Sequence, residues 1–313
     1  MAMSSRDLVL SLLDGDEVER TPVFPPFFGY FACQAAGVTD VQLITDPDLA
    51  AKAIMDVGQE CGFDGMDMIF DFLSPAQACG SKVKMPNYGL IPVTDPVIKD
   101  LGDLDRLQVP DPREDLRFVS SLSTATEIQS KLGRSHFLYA TVCAPFTLLG
   151  ELRGLERLFF DLIIEPGAVR EMLRFSAEVL KGYYQEIETL SPDAFAVVDP
   201  TSSGNLLNEE NFRKFVLPVN TGVINSIKRG GHKVLWHICG DSFNNLRSMS
   251  SLDVDMLSVD QPVCLQRMAD VFPNAAIVGN LPPEGALTGG PPFEVVRQSV
   301  ECMEEMVGRK HIL

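Results

Sequence analysis

The stretch KVLWHICGDSFNNLRSMSSLDVDMLSVDQPVCLQRMADVFPNAAIVGN, residues 233–280, decides the fold class. It contains three short apolar runs, Lys233–His237, Met256–Val259 and Ala276–Val278, and a helix-like segment, Leu265–Val271, between the last two. Short apolar runs that alternate with helical segments predict parallel βαβ units. Polar residues or glycine follow each run, so the carboxyl ends of these strands are expected to share one edge of a sheet.

The same alternation continues along the rest of the chain. The other predicted strands are Met66–Phe70, His136–Val142, Phe195–Val198 and His311–Leu313, and the other predicted helices are Pro47–Gln59, Pro166–Thr189, Glu209–Ile227 and Phe293–Met306. A hairpin is expected within Val83–Val97. So many repeats close naturally into a barrel, and we expect one (β/α)8 TIM barrel domain over residues 1–313 with an N-terminal helical extension. A doubly wound open sheet is the alternative, but it lacks a Gly-rich phosphate loop after an early strand.

The composition limits the classes of partner. The net charge of −17 opposes binding to a phosphate backbone, and Lys and Arg are not clustered. No run reaches the ~18 apolar residues of a membrane span, and the acidic N-terminus does not resemble a signal peptide. Seven cysteines without a secretion signal are typical of reduced thiols. We therefore expect a cytoplasmic protein that binds neither nucleic acid nor membrane.

Polar side chains follow five of the predicted strands at the same point, where each strand ends. They are Asp71, Asp199, His237 with Cys239, Asp260, and Asn280 after Gly279. Polar residues commonly end strands, so any one of them has a structural explanation. Active sites of barrels lie at the carboxyl ends of the strands, and five such positions on one rim favour a functional site.

The sharpest local signal is LWHICGDS, in which His237 and Cys239 are two residues apart. On an extended segment both side chains point to the same face. An imidazole nitrogen and a thiolate suit Zn²⁺, which prefers tetrahedral nitrogen and sulfur ligands and needs at least three from the protein. Cys264 follows the next strand and is a minority candidate for the third ligand. A packed histidine beside a buried cysteine is the alternative explanation of the pair.

Several blocks together resemble a known family. VERTPVFPP, GFDGMDMIFDFLSPAQACGSKV, APFTLLGELRG, DPTSSGNLLNEENFRKFVLP, HICGD, MLSVD and VGNLPPEGAL are similar to successive blocks of corrinoid methyltransferases in the uroporphyrinogen decarboxylase superfamily, the kind that methylate coenzyme M in methanogens. The resemblance covers nearly the whole chain. It implies a zinc-dependent enzyme that moves a methyl group between protein-bound methylcobalamin and a thiol or another small-molecule acceptor or donor. A corrinoid carrier protein is the implied partner.

The resemblance also implies roles for individual residues. His237 and Cys239 match the first two zinc ligands, and the third, a cysteine after the last strand, is expected beyond Leu313. We therefore expect that the sequence is truncated and lacks the last helix; an altered or absent zinc site is the alternative. Asp199 and Asp71 are the implied catalytic residues, and Ser202, Asp260 and Asn280 the implied substrate-binding residues. Capping or supporting hydrogen bonds are the alternative role for each.

Three other functions stay open. Asp71 matches the pyrrole-binding aspartate of uroporphyrinogen decarboxylase, but residues 24–37, FPPFFGYFACQAAG, lack the arginines of that enzyme, and its tyrosine falls at about Glu151. An O-demethylase acting on a methoxylated aromatic would need a flat aromatic slot, and coenzyme M a channel with an anion-binding end. A metal-free relative that binds a small molecule is the third. The apolar segment Phe24–Phe31 is expected at the rim or as a plug of the core.

Overall fold

Seven parallel strands form the central sheet of the computed structural model, which describes residues 3–313. The strands are β1 (Gly65–Ile69), β2 (Lys82–Val83), β3 (Val93–Asp95), β4 (Phe137–Cys143), β5 (Ala194–Val198), β6 (Lys233–Ile238), β7 (Met256–Val259), β8 (Ala276–Val278) and β9 (His311–Ile312). The central sheet has the order β1-β4-β5-β6-β7-β8-β9. β2 and β3 form a separate antiparallel hairpin, as the sequence predicts for this region.

Helices connect the strands and cover the outside of the sheet. They are α1 (Ser5–Asp14), α2 (Gly29–Ala35), α3 (Asp40–Thr45), α4 (Pro47–Glu60), α5 (Ser74–Ala78), α6 (Leu116–Leu132), α7 (Pro145–Arg153), α8 (Leu155–Ile164), α9 (Pro166–Glu188), α10 (Glu209–Asn211), α11 (Leu217–Arg229), α12 (Leu246–Met249), α13 (Leu265–Val271) and α14 (Pro292–Glu305). None of the helices in the described part of the chain is both long and apolar enough to cross a membrane.

The predicted helix Glu209–Ile227 is interrupted. A π-helical turn, Phe212–Val216, separates α10 from α11. Pro218 follows this turn and lacks an amide hydrogen, so it cannot complete the α-helical hydrogen bond to the preceding turn. The missing donor explains why one long helix becomes three shorter pieces.

An extended segment, Pro22–Phe24, completes the ring between β9 and β1. The amide of Leu313 donates to the carbonyl of Pro22 at 3.0 Å, and the amide of Phe24 donates to the carbonyl of Leu313 at 3.1 Å. On the other side, the amide of Asp64 donates to the carbonyl of Val23 at 2.8 Å. The two hydrogen bonds with Leu313 are the pattern of parallel pairing, and the single bond from Asp64 joins the segment to the residue before β1, so the segment fills the place of an eighth strand between β9 and β1. The predicted barrel architecture is confirmed, and its eighth member lies in the Pro-rich entry segment.

The inside of the barrel is apolar at the amino-terminal ends of the strands. Phe24, Tyr139, Leu235 and Met256 are buried there in one cluster, which α1 covers from below. The rings of Phe24 and Tyr139 lie 5.4 Å apart, and the Tyr139 hydroxyl donates to the carbonyl of Pro25 at 2.8 Å. The opposite faces of the strands pack against the helices in a second cluster. Side chains at the carboxyl ends are therefore left to form the polar mouth of the barrel.

Candidate functional site

His237 and Cys239 form a close pair at the carboxyl end of β6. Nε2 of His237 lies 3.2 Å from Sγ of Cys239. On the other side of the ring, Nδ1 lies 2.9 Å from Oγ of Ser258, the residue paired with His237 on β7. With a proton on Nδ1 donated to Ser258, the lone pair of Nε2 faces the sulfur. The serine thus fixes the orientation in which the imidazole can act as a ligand.

The turn after the pair is held by the next strand. Gly240 has φ of +66°, a conformation that suits glycine, and its amide donates to Oδ2 of Asp260 at 2.9 Å. A side chain at Gly240 would collide with Asn205, because an added Cβ would lie 2.4 Å from its Oδ1. The glycine after Cys239 therefore has a structural explanation: the chain turns away from the rim at Gly240, where a side chain would not fit.

Burial controls the protonation of this pair. It lowers the pKa of His237 to about 4, although the nearby Asp260 opposes the change, and so the imidazole is neutral at pH 7. Burial also raises the pKa of Cys239 to about 11, and Asp260 and Asp199 add to the rise. At pH 7 His237 is therefore a neutral imidazole and Cys239 a neutral thiol. A bound cation would reverse the preference of the sulfur, because it stabilises a thiolate.

The pair fits two positions of a zinc site. Tetrahedral bonds of normal length would set the nitrogen and sulfur roughly 3.6 Å apart, close to the observed separation. Among residues 3–313 no group of three or more His, Cys, Asp or Glu side chains is arranged to hold a metal ion. Cys264 is exposed, and its thiol donates to Glu305 at 3.5 Å. The third ligand expected beyond Leu313 stays a prediction.

Phe27 covers the imidazole from the entry segment. The two rings pack edge to face with their centroids 4.6 Å apart. Phe27 has φ of +66°, which is rare for a residue with a bulky side chain. In the same segment Phe24 is buried in the barrel, whereas Phe31 is 56% exposed. The segment therefore fulfils both expectations: one end plugs the core and the middle lies at the rim.

Asp199 is held by neutral donors beyond the end of β5. Its Oδ1 accepts from the Thr147 hydroxyl at 2.9 Å and its Oδ2 from the Asn220 amide at 2.7 Å. The Ser202 hydroxyl donates to the main-chain carbonyl of Asp199 at 3.0 Å. Asp199 is fully buried, and this burial raises its pKa. Sequence reasoning missed Thr147 and Asn220, because each lies on a helix far along the chain.

Asp71 lies in a different cluster, which we call the Asp71 cluster: Asp71, Arg117 and Gln77. Both carboxylate oxygens of Asp71 accept from the Arg117 guanidinium, one at 2.9 Å, and Arg117 also donates to Oε1 of Gln77 at 2.7 Å. Burial raises the pKa of Asp71, and the arginine opposes this rise. No sequence motif marks Arg117, which stands in the first turn of α6.

Asp260 and Asn280 brace the rim between β6, β7 and β8. Asp260 accepts from the amides of Gly240 and Gln261. The side-chain amide of Asn280 donates to the carbonyls of Asp260 at 3.0 Å and Val263 at 2.7 Å. These hydrogen bonds join three neighbouring loops. The contacts give both residues a supporting role, and substrate binding by them stays a prediction.

A further buried carboxyl group, Asp67, was missed because it lies inside the predicted strand. Asp67 has no exposed surface, and its Oδ1 accepts from the Thr141 hydroxyl at 2.9 Å. Its other oxygen, Oδ2, has no hydrogen-bond partner among the described residues. The signal in the sequence is the aspartate in the middle of the apolar run MDMIF, where alternation turns it inward.

Comparisons with known proteins agree with this architecture. The family model described as uroporphyrinogen decarboxylase (URO-D) matches residues 4–313. The chain is 27% identical over 277 residues to a methylcobamide:CoM methyltransferase of Methanosarcina mazei, covering 88% of this chain and 81% of the relative. It is 24% identical over 258 residues to a methylated-thiol–coenzyme M methyltransferase of the same organism, covering 82% and 67%. It is 25% identical over 315 residues to a uroporphyrinogen decarboxylase of Geobacter metallireducens, covering 94% and 87%.

A solved structure described as a methyltransferase from Methanosarcina mazei has a similar fold. The TM-score is 0.87, with 99% of this chain and 92% of that chain covered. The sequence identity of 20% is low, so this likeness supports the barrel fold alone.

Proposed function

The chain belongs to the uroporphyrinogen decarboxylase family, and within it we propose a zinc-dependent methyltransferase that moves a methyl group between a corrinoid and a thiol or another small molecule. Two of the relatives carry methyltransferase names, one with a methylcobamide and one with a methylated thiol. The family also includes decarboxylases, so membership alone does not decide the reaction. The choice between methyl transfer and decarboxylation therefore depends on the residues of the candidate site.

The observation that carries the proposal is the His237–Cys239 pair. It offers one nitrogen and one sulfur 3.2 Å apart at the mouth of a barrel, with the imidazole held by Ser258. These two residues would hold zinc together with a further ligand. When bound there, zinc would keep a substrate thiol deprotonated at neutral pH, the state in which sulfur is a nucleophile.

The protein's own residues would prepare the site in three ways. Ser258 fixes the ring of His237, and Asp260 fixes the turn at Gly240. Phe27 shields the face of the imidazole from water. Asp199 joins the loop at Ser202 to α7 and α11 through its neutral donors, which would give that loop a defined position beside the substrate. A corrinoid is large, so it would enter at the open mouth, presented by a carrier protein.

The contacts of Asp71 count against the decarboxylase alternative. A carboxylate that binds pyrrole nitrogens must be accessible to them, whereas Asp71 is buried in this structure and its two oxygens face the Arg117 guanidinium. The entry segment, residues 24–37, also lacks arginines that would bind a substrate with many carboxylates. The O-demethylase alternative uses the same pair and the same corrinoid, so it differs only in the methyl donor.

The test combines zinc content with methyl transfer. Zinc would be measured in residues 1–313 and in a chain extended past Leu313, and methylcobalamin loss would be followed spectroscopically with added thiols. We expect H237A and C239A to lose zinc and thiol-dependent turnover together. C61S changes an exposed cysteine and should change neither.

Separate outcomes would overturn the proposal. Turnover that is unchanged in both H237A and C239A would remove the pair from the reaction. Release of carbon dioxide from uroporphyrinogen, without thiol-dependent loss of methylcobalamin, would favour the decarboxylase. Methyl transfer from a methoxylated aromatic to cob(I)alamin, with no activity on thiols, would favour the O-demethylase.

A further inference from the structure

The loop after β5 lies against the turn that carries Cys239. We call residues 202–207 the β5 loop and residues 239–241 the Cys239 turn. Oδ1 of Asn205 in the β5 loop accepts from the amide of Asp241 at 2.6 Å. On the other side, Oδ2 of Asp260 accepts from the amide that precedes it in the turn, at 2.9 Å. The Cys239 turn is therefore held from both neighbouring strands.

Two glycines allow the β5 loop and the segment after β6 to approach this closely. A Cβ at Gly204 would lie 2.4 Å from the carbonyl oxygen of Asp241 and 3.2 Å from Cα of Ser242. A Cβ at Gly240 would lie 2.4 Å from Oδ1 of Asn205. A separation of 2.4 Å is a steric collision. Each segment thus has a glycine at the point where the other segment contacts it.

Asn245 holds the β5 loop from inside the protein. It has no exposed surface, and its side-chain amide donates to the carbonyls of Ser202 at 3.3 Å and Leu207 at 3.1 Å. These carbonyls belong to the first and last residues of the β5 loop, so one side chain sets the separation of its ends. Because Asn245 follows the Cys239 turn in the sequence, the two segments support each other reciprocally.

The two residues of the candidate metal pair depend on different supports. His237 lies within β6 and is held there by the ladders to β5 and β7. Cys239 lies one residue beyond the end of β6, so its position depends on the turn that follows. A metal ligand must be held to within about 0.5 Å of its productive position. The contacts of the β5 loop with Gly240 and Asp241 supply this support on the side of the sulfur.

We propose that Gly204 and Asn205 are positioning residues, which hold the sulfur of Cys239 at the distance from His237 that metal binding needs. The inference rests on the proposed zinc site and names residues outside the ligand set that determine its geometry. Groups that orient a metal ligand commonly contribute 10–100-fold to metal affinity, and the observed Nε2–Sγ distance of 3.2 Å is the geometry that these contacts would maintain.

Three variants of the β5 loop and one matched control test the proposal. G204A adds a methyl group that would press on Asp241. The φ of Gly204 lies outside the left-handed region, so the effect comes from the lack of space alone. N205A removes the acceptor for the Asp241 amide, whereas N205D keeps an oxygen acceptor. G222A adds the same methyl group on α11, where nothing lies within 4 Å.

Metal binding is the first readout, in residues 1–313 and in the chain extended past Leu313. Competition with a chromogenic chelator measures the affinity for Zn²⁺, and the sulfur-to-metal charge-transfer band of bound Co²⁺ reports the bond to Cys239. We expect G204A and N205A to lower the affinity about 10–100-fold and to weaken the band. N205D and G222A should bind metal like the unchanged protein.

Alkylation of Cys239 without metal, followed by mass spectrometry of its peptide, is the second readout. A turn released from the β5 loop exposes the half-buried sulfur, so Cys239 should react faster in G204A and N205A but not in N205D or G222A. Exposed Cys61 is the internal reference and should react at one rate in all variants. Buried Cys143 should stay protected, because the overall structure is kept.

Several outcomes would overturn the inference. Unchanged metal affinity or unchanged alkylation of Cys239 in both G204A and N205A would each do so. An affinity of N205D as low as that of N205A would show that the acceptor for the Asp241 amide is not the cause. Equal acceleration at Cys143 would give the β5 loop a general structural role instead. If neither chain length of the unchanged protein binds Zn²⁺ or Co²⁺, the proposed function is contradicted, and unchanged alkylation of Cys239 would then overturn the inference independently.

Discussion

Two regions of the rim use polar side chains in opposite ways. In the Asp71 cluster a buried guanidinium meets a buried carboxylate, and each oxygen of Asp71 has a partner. In the His237–Cys239 pair a nitrogen and a sulfur face each other 3.2 Å apart, and burial favours the uncharged form of both groups. A cluster whose groups satisfy one another stabilises the fold, whereas a pair with remaining binding capacity can take a ligand. The difference gives four predictions.

The largest effect should come from breaking the Asp71 cluster. R117L leaves a buried carboxylate without its cation, so we expect a loss of about 3–5 kcal/mol in the free energy of unfolding. The double variant D71L/R117L should recover much of this loss, because neither charge is then buried alone. Urea unfolding measures both.

A matched surface pair provides the control for this change. Arg113 pairs with Glu186 but is 74% exposed, so R113L should cost no more than about 1 kcal/mol. Similar losses in R117L and R113L would contradict the contrast between a buried and an exposed pair. A double variant as unstable as R117L would show that the cavity, rather than the unpaired charge, causes the loss.

Ser258 tests the other region. If its oxygen orients His237 for zinc, S258A should weaken zinc binding about 10–100-fold while the protein stays folded. Competition with a chromogenic zinc chelator measures the affinity. S176A removes another buried serine hydroxyl, on α9, and should leave the affinity unchanged. Equal affinities in S258A and the unchanged protein would remove Ser258 from the support of the pair.

The pH dependence of stability should report on the buried carboxyl group of Asp67 on β1. Because the folded state raises the pKa of Asp67, the native protein binds the proton more tightly than the unfolded chain. The stabilising contribution of this proton is complete below the unfolded pKa and falls as pH rises towards the folded pKa. D67N cannot lose a proton, so its stability relative to the unchanged protein should increase with pH, by at most about 1.4 kcal/mol per unit.

Unfolding of the two proteins at a series of pH values between 4 and 8 measures this slope. The difference between D67N and the unchanged protein cancels the titration of the other acids. A difference that is constant over the range, or that falls with pH, would contradict a neutral Asp67.

The smallest effect on stability should come from Phe27. F27G removes the edge-to-face contact with His237, worth about 0.5–1.5 kcal/mol, but it also relieves a positive φ that costs about 1–2 kcal/mol for this residue. The net change in unfolding free energy should therefore stay within about 1 kcal/mol. The imidazole becomes more hydrated, so the pKa of His237 should rise from about 4 towards its usual value.

NMR titration of the histidine ring measures that rise. His232, which directly precedes β6, serves as an internal reference. A pKa of His237 that does not move in F27G would show that the rest of the barrel, rather than Phe27, keeps water from the ring. A large loss of stability would show that Phe27 matters mainly as part of the core.

The strands were predictable because their evidence is local. The run from Met256 to Val259 is apolar and bounded by polar residues, and the strand has the same limits in the structure. The predicted helix Leu265–Val271 likewise has the observed bounds. The eighth strand was less visible, since Pro22–Phe24 is short and proline-rich and pairs through only a few main-chain hydrogen bonds. Its strand character comes from neighbours that lie about forty and three hundred residues away in the sequence.

The candidate site shows the same division. Alternation and the His-x-Cys spacing brought His237 and Cys239 to attention, and the strand-end rule selected Asp71 and Asp199. Neither rule reveals which other side chains these residues contact. Arg117, Ser258 and Phe27 carry no motif, and their importance follows from contacts across the barrel. Asp67 was visible as an acid in an apolar run, but only the structure shows that one of its buried oxygens has no hydrogen-bond partner among the described residues.

The sequence by itself determined the alternation of strands and helices, the family, and the residue types at the barrel mouth, because these depend on periodicity and on short blocks of neighbouring residues. The tertiary structure decided which polar groups form hydrogen bonds with one another and which keep an atom without a partner. That distinction depends on distances between residues remote in sequence, on burial, and on the level that each side chain occupies in the barrel. It is why Asp71 and Asp67, four positions apart, have opposite surroundings.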